Sequence, residues 1–154
     1  MALVMAGVLA AIFMAAGPAQ AGPTKARRTI VRRATSQIGT PYVYGAESPK
    51  KGFDCSGLTW WTYNGHGADL PRTSLAQYQL PNVTDDKRIK RRGDLVKGDL
   101  VFFKTTSAVV GHVGIYVGNG DFVSATSSGG VRKASVRDPY YWGKRWVGAT
   151  RVLN

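Results

Sequence analysis

The chain of 154 residues contains a single cysteine, Cys55. A lone thiol closes no internal disulfide and makes a poor metal site, so packing alone has to hold whatever fold the chain adopts. Its neighbours then carry weight. Asp54 precedes it, Ser56-Gly57 follows, and Leu58-Thr59-Trp60-Trp61-Thr62-Tyr63 reads as the body of a helix. Asp54 suits an N-cap, which puts Cys55 in the first turn, where unpaired amides and the helix dipole stabilise a thiolate. Most free cysteines are simply small buried hydrophobes, but such a residue needs no Asp, Ser and Gly around it. Cys55 is therefore read as a nucleophile, reactive towards alkylation well below pH ~8 if it is paired with a base.

Met1 to Ala21 carries no charged side chain, Leu3 to Ala16 is almost wholly apolar, and Ala19-Gln20-Ala21 has the small-x-small form of a cleavage site. The expectation is a secretory signal peptide over residues 1–21 and one exported domain over residues 22–154. An uncleaved anchor is disfavoured, because about 14 apolar residues fall short of the ~20 that span a bilayer. The net charge of +12 lies entirely beyond residue 21, and positive charge concentrates in Lys25-Ala26-Arg27-Arg28, Arg32-Arg33 and Lys87-Arg88-Ile89-Lys90-Arg91-Arg92. Such runs attract polyanions. An exported protein meets anionic wall polymers, phospholipid head groups or surface polysaccharide before nucleic acid, and the runs lack the interleaved aromatics of a nucleic-acid binder. A solvated face that only aids solubility accounts for the same charge.

Apolar spacing predicts a helix from Lys25 to Ile38, ended by Gly39 and Pro41. A short extended piece, residues 42–45, leads into a loop over 46–53 and then the helix of Cys55, which runs to about Tyr63. Ser74 to Leu80 reads as a further short helix capped by Thr73 or Ser74. After the basic turn, strands are expected at 99–103, 112–117, 122–125, 131–136 and 146–153. Gly118-Asn119-Gly120-Asp121 forms a hairpin turn between the second and third. Helices followed by an antiparallel meander give an α+β chain.

A thiol nucleophile near neutral pH needs a base, usually imidazole. The chain has two histidines. His66 lies in Gly-His-Gly at the end of the helix of Cys55, roughly 16 Å from the thiol at 1.5 Å per residue. His112 starts a strand after Gly111, which leaves room for a neighbour, and is assigned as the base. From spacing alone, an ordinary strand histidine accounts for His112 equally well.

These residues carry a resemblance. Pro41-Tyr42-Val43-Tyr44-Gly45, Phe53-Asp54-Cys55-Ser56-Gly57-Leu58, Leu70-Pro71-Arg72-Thr73-Ser74 with Gln77, Gly98-Asp99-Leu100-Val101-Phe102-Phe103 and Gly111-His112-Val113-Gly114-Ile115-Tyr116-Val117-Gly118 follow the order of an NlpC/P60 domain. The similarity runs from about Lys25 to Leu153. It implies a papain-like α+β fold, with N-terminal helices packed on an antiparallel β-sheet. It also implies a secreted cysteine endopeptidase of peptidoglycan stem peptides that requires no metal or cofactor; a monomer is the default oligomeric state. The bond implied is the D-γ-glutamyl link to a diamino acid. Carried over by position, Cys55 is the nucleophile and His112 the base, while Tyr44, Asp54 and Ser56 shape the stem-peptide subsite.

One position departs from the family pattern. The polar residue that orients the imidazole is commonly His, Asn, Gln or Glu, and here it falls on Ser124. A serine hydroxyl is short and uncharged, so it stabilises imidazolium less than a carboxylate does. The alternative is accordingly a catalytically weak or inactive wall-binding module on the same fold. A CHAP-type amidase or an acyltransferase is opposed by the Asp-Cys-Ser-Gly-Leu block. Arg72-Thr73-Ser74 is expected to fix the turn into a helix rather than touch substrate. Trp60, Trp61, Trp142 and Trp146 are expected in the core or as subsite walls, and Ser127 to Gly130 as a turn at the rim of the cleft.

Overall fold

Every residue of the strand Leu100–Phe103 is buried. Alternation along the strand sends Leu100 and Phe102 into one apolar core and Val101 and Phe103 into another. The sheet it belongs to is therefore covered on both faces, which explains why its sequence shows no polar alternation. The computed structural model describes residues 23–154; the expected signal peptide, residues 1–21, lies outside the described residues.

Helices build the first core. In α1 (Pro23–Ser36), Ile30 and Ala34 are fully buried beneath an arginine-rich outer face. Residues 46–53, expected as a loop, contain a small hairpin of β1 (Glu47–Ser48) and β2 (Gly52–Phe53). The fully buried Phe53 draws this segment inward, a tertiary effect that the Gly- and Lys-rich sequence hides. Next come α2 (Cys55–Tyr63) and α3 (Ser74–Gln79), the latter capped by Thr73, whose hydroxyl accepts from the Ala76 amide. Leu58 and Tyr63 seat α2 in the core, and the Tyr63 hydroxyl donates to the Gly98 carbonyl. Burial pushes that phenol's pKa up. Gln77, also fully buried, donates to Pro71 O (2.8 Å) and Ser56 O (3.3 Å) and ties α3 to the start of α2.

The strands are β3 (Lys87–Ile89), β4 (Leu100–Phe103), β5 (His112–Gly118), β6 (Asp121–Thr126), β7 (Gly130–Ser135) and β8 (Trp146–Arg151), with a one-turn helix α4 (Trp142–Arg145) before the last. They form one antiparallel sheet in the order β3-β8-β4-β5-β6-β7. The expected meander is present from β4 to β7, and β8 returns to the far side of β4. The basic run at 87–92, read as a turn, begins as the edge strand β3, where charge blunts pairing with other chains. Helices on an antiparallel sheet make the protein α+β, as its sequence predicts.

Much of the N-terminal charge is structural. Asp99 is fully buried and pairs with Arg151 (2.9 Å) and Arg27 (3.7 Å), locking α1 to the sheet. Arg33 donates to the carbonyls of Thr62 (2.9 Å) and Trp61 (2.7 Å), satisfying orphan acceptors at the end of α2. Lys25, Arg28 and Arg32 remain exposed along one side of α1.

Candidate active site

The start of α2 is fixed by one carboxylate. Asp54 has extended backbone (φ −89°, ψ 177°), and its Oδ1 accepts from the Gly57 amide at 2.6 Å, as an N-cap does. Its Oδ2 accepts from the Gly45 amide at 2.9 Å. Arg72 then clamps both oxygens at 2.9 Å each, in a bidentate pair. The same guanidinium donates to Glu47 Oε2 (2.7 Å) and Ser56 Oγ (2.9 Å). Gly57 is required here, since a Cβ would lie 2.1 Å from the Ala46 carbonyl oxygen. The Asp-Cys-Ser-Gly stretch is thus a tightly packed corner that presents Cys55 at the first turn of α2.

The histidine arrives from the sheet. His112 pairs with Phe103 across β5 and β4, so both side chains project on the same face. Ser124 shares that face through its alternation with Phe122, and its Oγ lies 2.9 Å from His112 Nε2. Gly114 permits the approach, because a Cβ there would meet the Phe122 ring at 2.6 Å and Ser124 Cβ at 3.0 Å. Both partners are buried, at 8% exposure for His112 and 1% for Ser124. Trp142 covers the imidazole with ring centroids 4.8 Å apart. Asp138 holds Trp142 in place by accepting from the amides of Trp142 (3.0 Å), Tyr141 (2.8 Å) and Tyr140 (3.3 Å). Those donors keep the Asp138 carboxyl below its ordinary pKa.

Cys55 and His112 line one cleft of about 570 Å³, together with Tyr42, Trp142, Arg132 and the hydroxyl-bearing segments 105–106 and 126–128. The half-buried thiol receives a hydrogen bond from the amide of Val113, the residue after His112. Burial pushes the Cys55 thiol above its ordinary pKa, against the opposing pull of backbone amides, and the Asp54 charge adds to the rise. Burial also lowers the His112 pKa from 6.5 to about 4. Near neutral pH the free cleft therefore holds a neutral thiol and a neutral imidazole. The stabilised thiolate expected at a helix N-terminus is outweighed here by desolvation.

Cys55, His112 and Ser124 are brought together. His66 is exposed at the end of α2, near Arg33 and the Asn64 carbonyl. Asp54 and Ser56 sit behind the cysteine in the Arg72 network, and Tyr44 is 89% exposed; none of the three lines the cleft. Tyr42 does line it. Its phenol pKa is raised by burial and by Cys55 and Asp54 nearby. Alternation would put residues 42 and 44 on one side of an extended segment, but Tyr44 and Gly45 (φ +76°) are the central residues of a turn closed by the Ala46 amide on the Val43 carbonyl at 3.0 Å. Trp142 and Arg72 are the other two residues whose part in the site exceeds what the sequence predicts. Thr73 does fix the turn into α3, as expected, while Arg72 reaches back to Asp54. Trp142 stands as a cleft wall.

The profile of the NlpC/P60 family matches residues 39–151. The murein DD-endopeptidase MepH of Escherichia coli K12 is 37% identical over 131 residues, 84% of this chain and 47% of MepH. The gamma-DL-glutamyl hydrolase of Bacillus subtilis 168 is 34% identical over 126 residues, 80% of this chain and 29% of the hydrolase. The chain thus spans about half or less of the length of these curated relatives. Among solved structures, the peptidoglycan hydrolase RipB of Mycobacterium tuberculosis superposes with a TM-score of 0.67 at 29% identity, over 86% of this chain and 67% of RipB. The match from residue 39 to residue 151 takes in the cysteine corner, the histidine strand and the strand of Ser124, and the chain belongs to the NlpC/P60 family.

Proposed function

We propose that this protein is a cysteine endopeptidase that hydrolyses peptidoglycan stem peptides at the D-γ-glutamyl bond to the diamino acid. The observation that carries the reading is that Cys55 and His112 line one cleft, with Ser124 buried behind His112 and bonded to its Nε2. With Nε2 engaged by Ser124, Nδ1 is the nitrogen left for the thiol. It takes the thiol proton as sulfur attacks the carbonyl carbon, so a neutral pair becomes charged only in the transition state. The Cys55 amide at the start of α2, with the Tyr42 hydroxyl beside it, donates to the developing oxyanion. Collapse of the tetrahedral intermediate expels the diamino acid amine, which receives the proton from imidazolium. Water, deprotonated by His112, then hydrolyses the thioester and frees the γ-carboxyl of D-glutamate and the thiol.

The two curated relatives bear names for different bonds, a DD-endopeptidase and a gamma-DL-glutamyl hydrolase, so product identity is the test. Mass spectrometry of muropeptides incubated with the purified protein, beside Cys55→Ala, should give fragments ending at D-glutamate that the control lacks. Cleavage at the D-alanyl cross-link would move the bond, and no cleavage by a folded protein with a free thiol would favour the second reading. That reading, a wall-binding module of little activity, draws on the uncharged Ser124. On either reading, residues 1–21 direct export and Lys25, Arg28 and Arg32 hold the protein, as a monomer, on anionic wall polymers. Sedimentation with isolated walls should fall as salt rises; salt-independent binding would remove that role from the basic face.

A further inference from the structure

Arg132 is the one charged side chain lining the cleft. It stands on β7 directly opposite Ser124, so it projects on the same face as the His112–Ser124 pair. Its neighbour on the opposite face, Lys133, is paired with Asp121 at 3.3 Å. Arg132 is exposed and has no carboxylate partner among the described residues. Among the described residues no Asp or Glu lines the cleft, and Asp54, the acid beside Cys55, is held by Arg72. The guanidinium folds over the turn before β7, where a Cβ on Gly129 would lie 2.6 Å from Arg132 Nη1. Around it stand the hydroxyl-bearing residues Thr105, Thr106, Thr126, Ser127 and Ser128. A cation among hydroxyls, without a counter-charge, suits an anionic group on whatever peptide occupies the cleft.

We propose that Arg132 binds a substrate carboxylate and makes the enzyme selective for stem peptides in which that carboxylate is free rather than amidated. The inference rests on the stem-peptide reading above. Two carboxylates of such a peptide have the right chemistry: the α-carboxyl of D-glutamate, on the acyl side of the bond, and the free carboxyl of diaminopimelate, on the leaving side. A guanidinium donates to either carboxylate in a bidentate pair and loses one charge-assisted contact when the group becomes an amide. Arg132 holds substrate in the ground state and in the transition state alike, so its effect belongs in KM rather than kcat.

The test is kcat/KM on four synthetic stem peptides: both carboxyls free, each one amidated singly, and both amidated. Wild type should lose about ten- to hundredfold, mainly through KM, when the recognised carboxyl is amidated, and that single amidation identifies the source. Arg132→Gln should lower kcat/KM on the free peptide and collapse the free-to-amidated ratio towards one, with Arg132→Lys between. Wild type indifferent to both amidations would overturn the proposal while leaving the endopeptidase reading intact. So would an unchanged free-to-amidated ratio in Arg132→Gln. Cleavage of none of the four peptides would overturn the endopeptidase reading, and this inference with it. A thermal midpoint for Arg132→Gln close to wild type, expected for an exposed side chain, separates lost recognition from lost fold.

Discussion

The two sides of the cleft hold their reactive groups by opposite means. Behind Cys55 stands an ionic network in which Asp54, Arg72, Glu47 and Ser56 satisfy one another. Around His112 a hydroxyl bonds one nitrogen and an indole covers the ring, with no ion pair to the imidazole among the described residues. The charged side is a scaffold. It orients a helix start from behind the cysteine, since neither Asp54 nor Arg72 lines the cleft. In the proposed mechanism the neutral side accepts a proton, with no counter-ion among the described residues to stabilise the result. Fixed charge thus serves position on one side, while on the other burial keeps His112 neutral.

The largest effect expected from this contrast is on stability in acid. The folded-state pKa of His112 is about 4 against 6.5 in the ordinary imidazole, so between those values the unfolded chain binds the extra proton. His112 therefore costs nothing above pH ~6.5 and withdraws stability as pH falls towards ~4, by about 3 kcal/mol in all. Urea denaturation of wild type and His112→Gln across that range should show the steeper loss in wild type; parallel curves would mean that His112 is protonated in the fold. Next comes the ionic side. Arg72→Ala leaves the Asp54 carboxylate without its main partner and should cost about 2 kcal/mol, less than a fully buried pair because Arg72 is partly solvated. An unchanged urea midpoint would contradict the scaffold role.

Smaller effects fall on catalysis. Ser124→Asp brings a carboxylate to Nε2 and should move the acid limb of kcat/KM upward from about pH 4 by one unit or more. A limb that stays put would mean that position 124 does not set the base. Asp138→Ala removes the acceptor that seats Trp142 and should lower kcat by about threefold through looser packing on the imidazole, with little change in the urea midpoint. A kcat equal to wild type would show that Trp142 keeps its place without the cap.

The cysteine side was the more legible in sequence, and the reason is locality. An N-cap, its helix and the close-packed Gly57 lie within four residues, so Asp54-Cys55-Ser56-Gly57 shows its geometry directly. The histidine side is assembled from β4, β5, β6 and α4, and only its period of two is visible in the chain. That period carries His112 and Ser124 onto one face, but nothing local announces that α4, four residues long, delivers Trp142 to them. The reach of Arg72 is hidden in sequence for the same reason: its partners Asp54 and Glu47 are 18 and 25 residues away. The edge strand β3 was hidden by its own charge, which reads as a turn until β8 is seen to pair with it.

Because Cys55 is the only thiol, one titration reaches the central claim. Intact mass spectrometry would follow alkylation of the protein by iodoacetamide from about pH 5 to 10, with residual muropeptide cleavage measured on the same samples. Activity should fall in proportion to the modified fraction, and the rate of modification should climb above pH ~8 with no plateau between ~5 and ~7. Cleavage that survives complete modification of Cys55 would contradict the account.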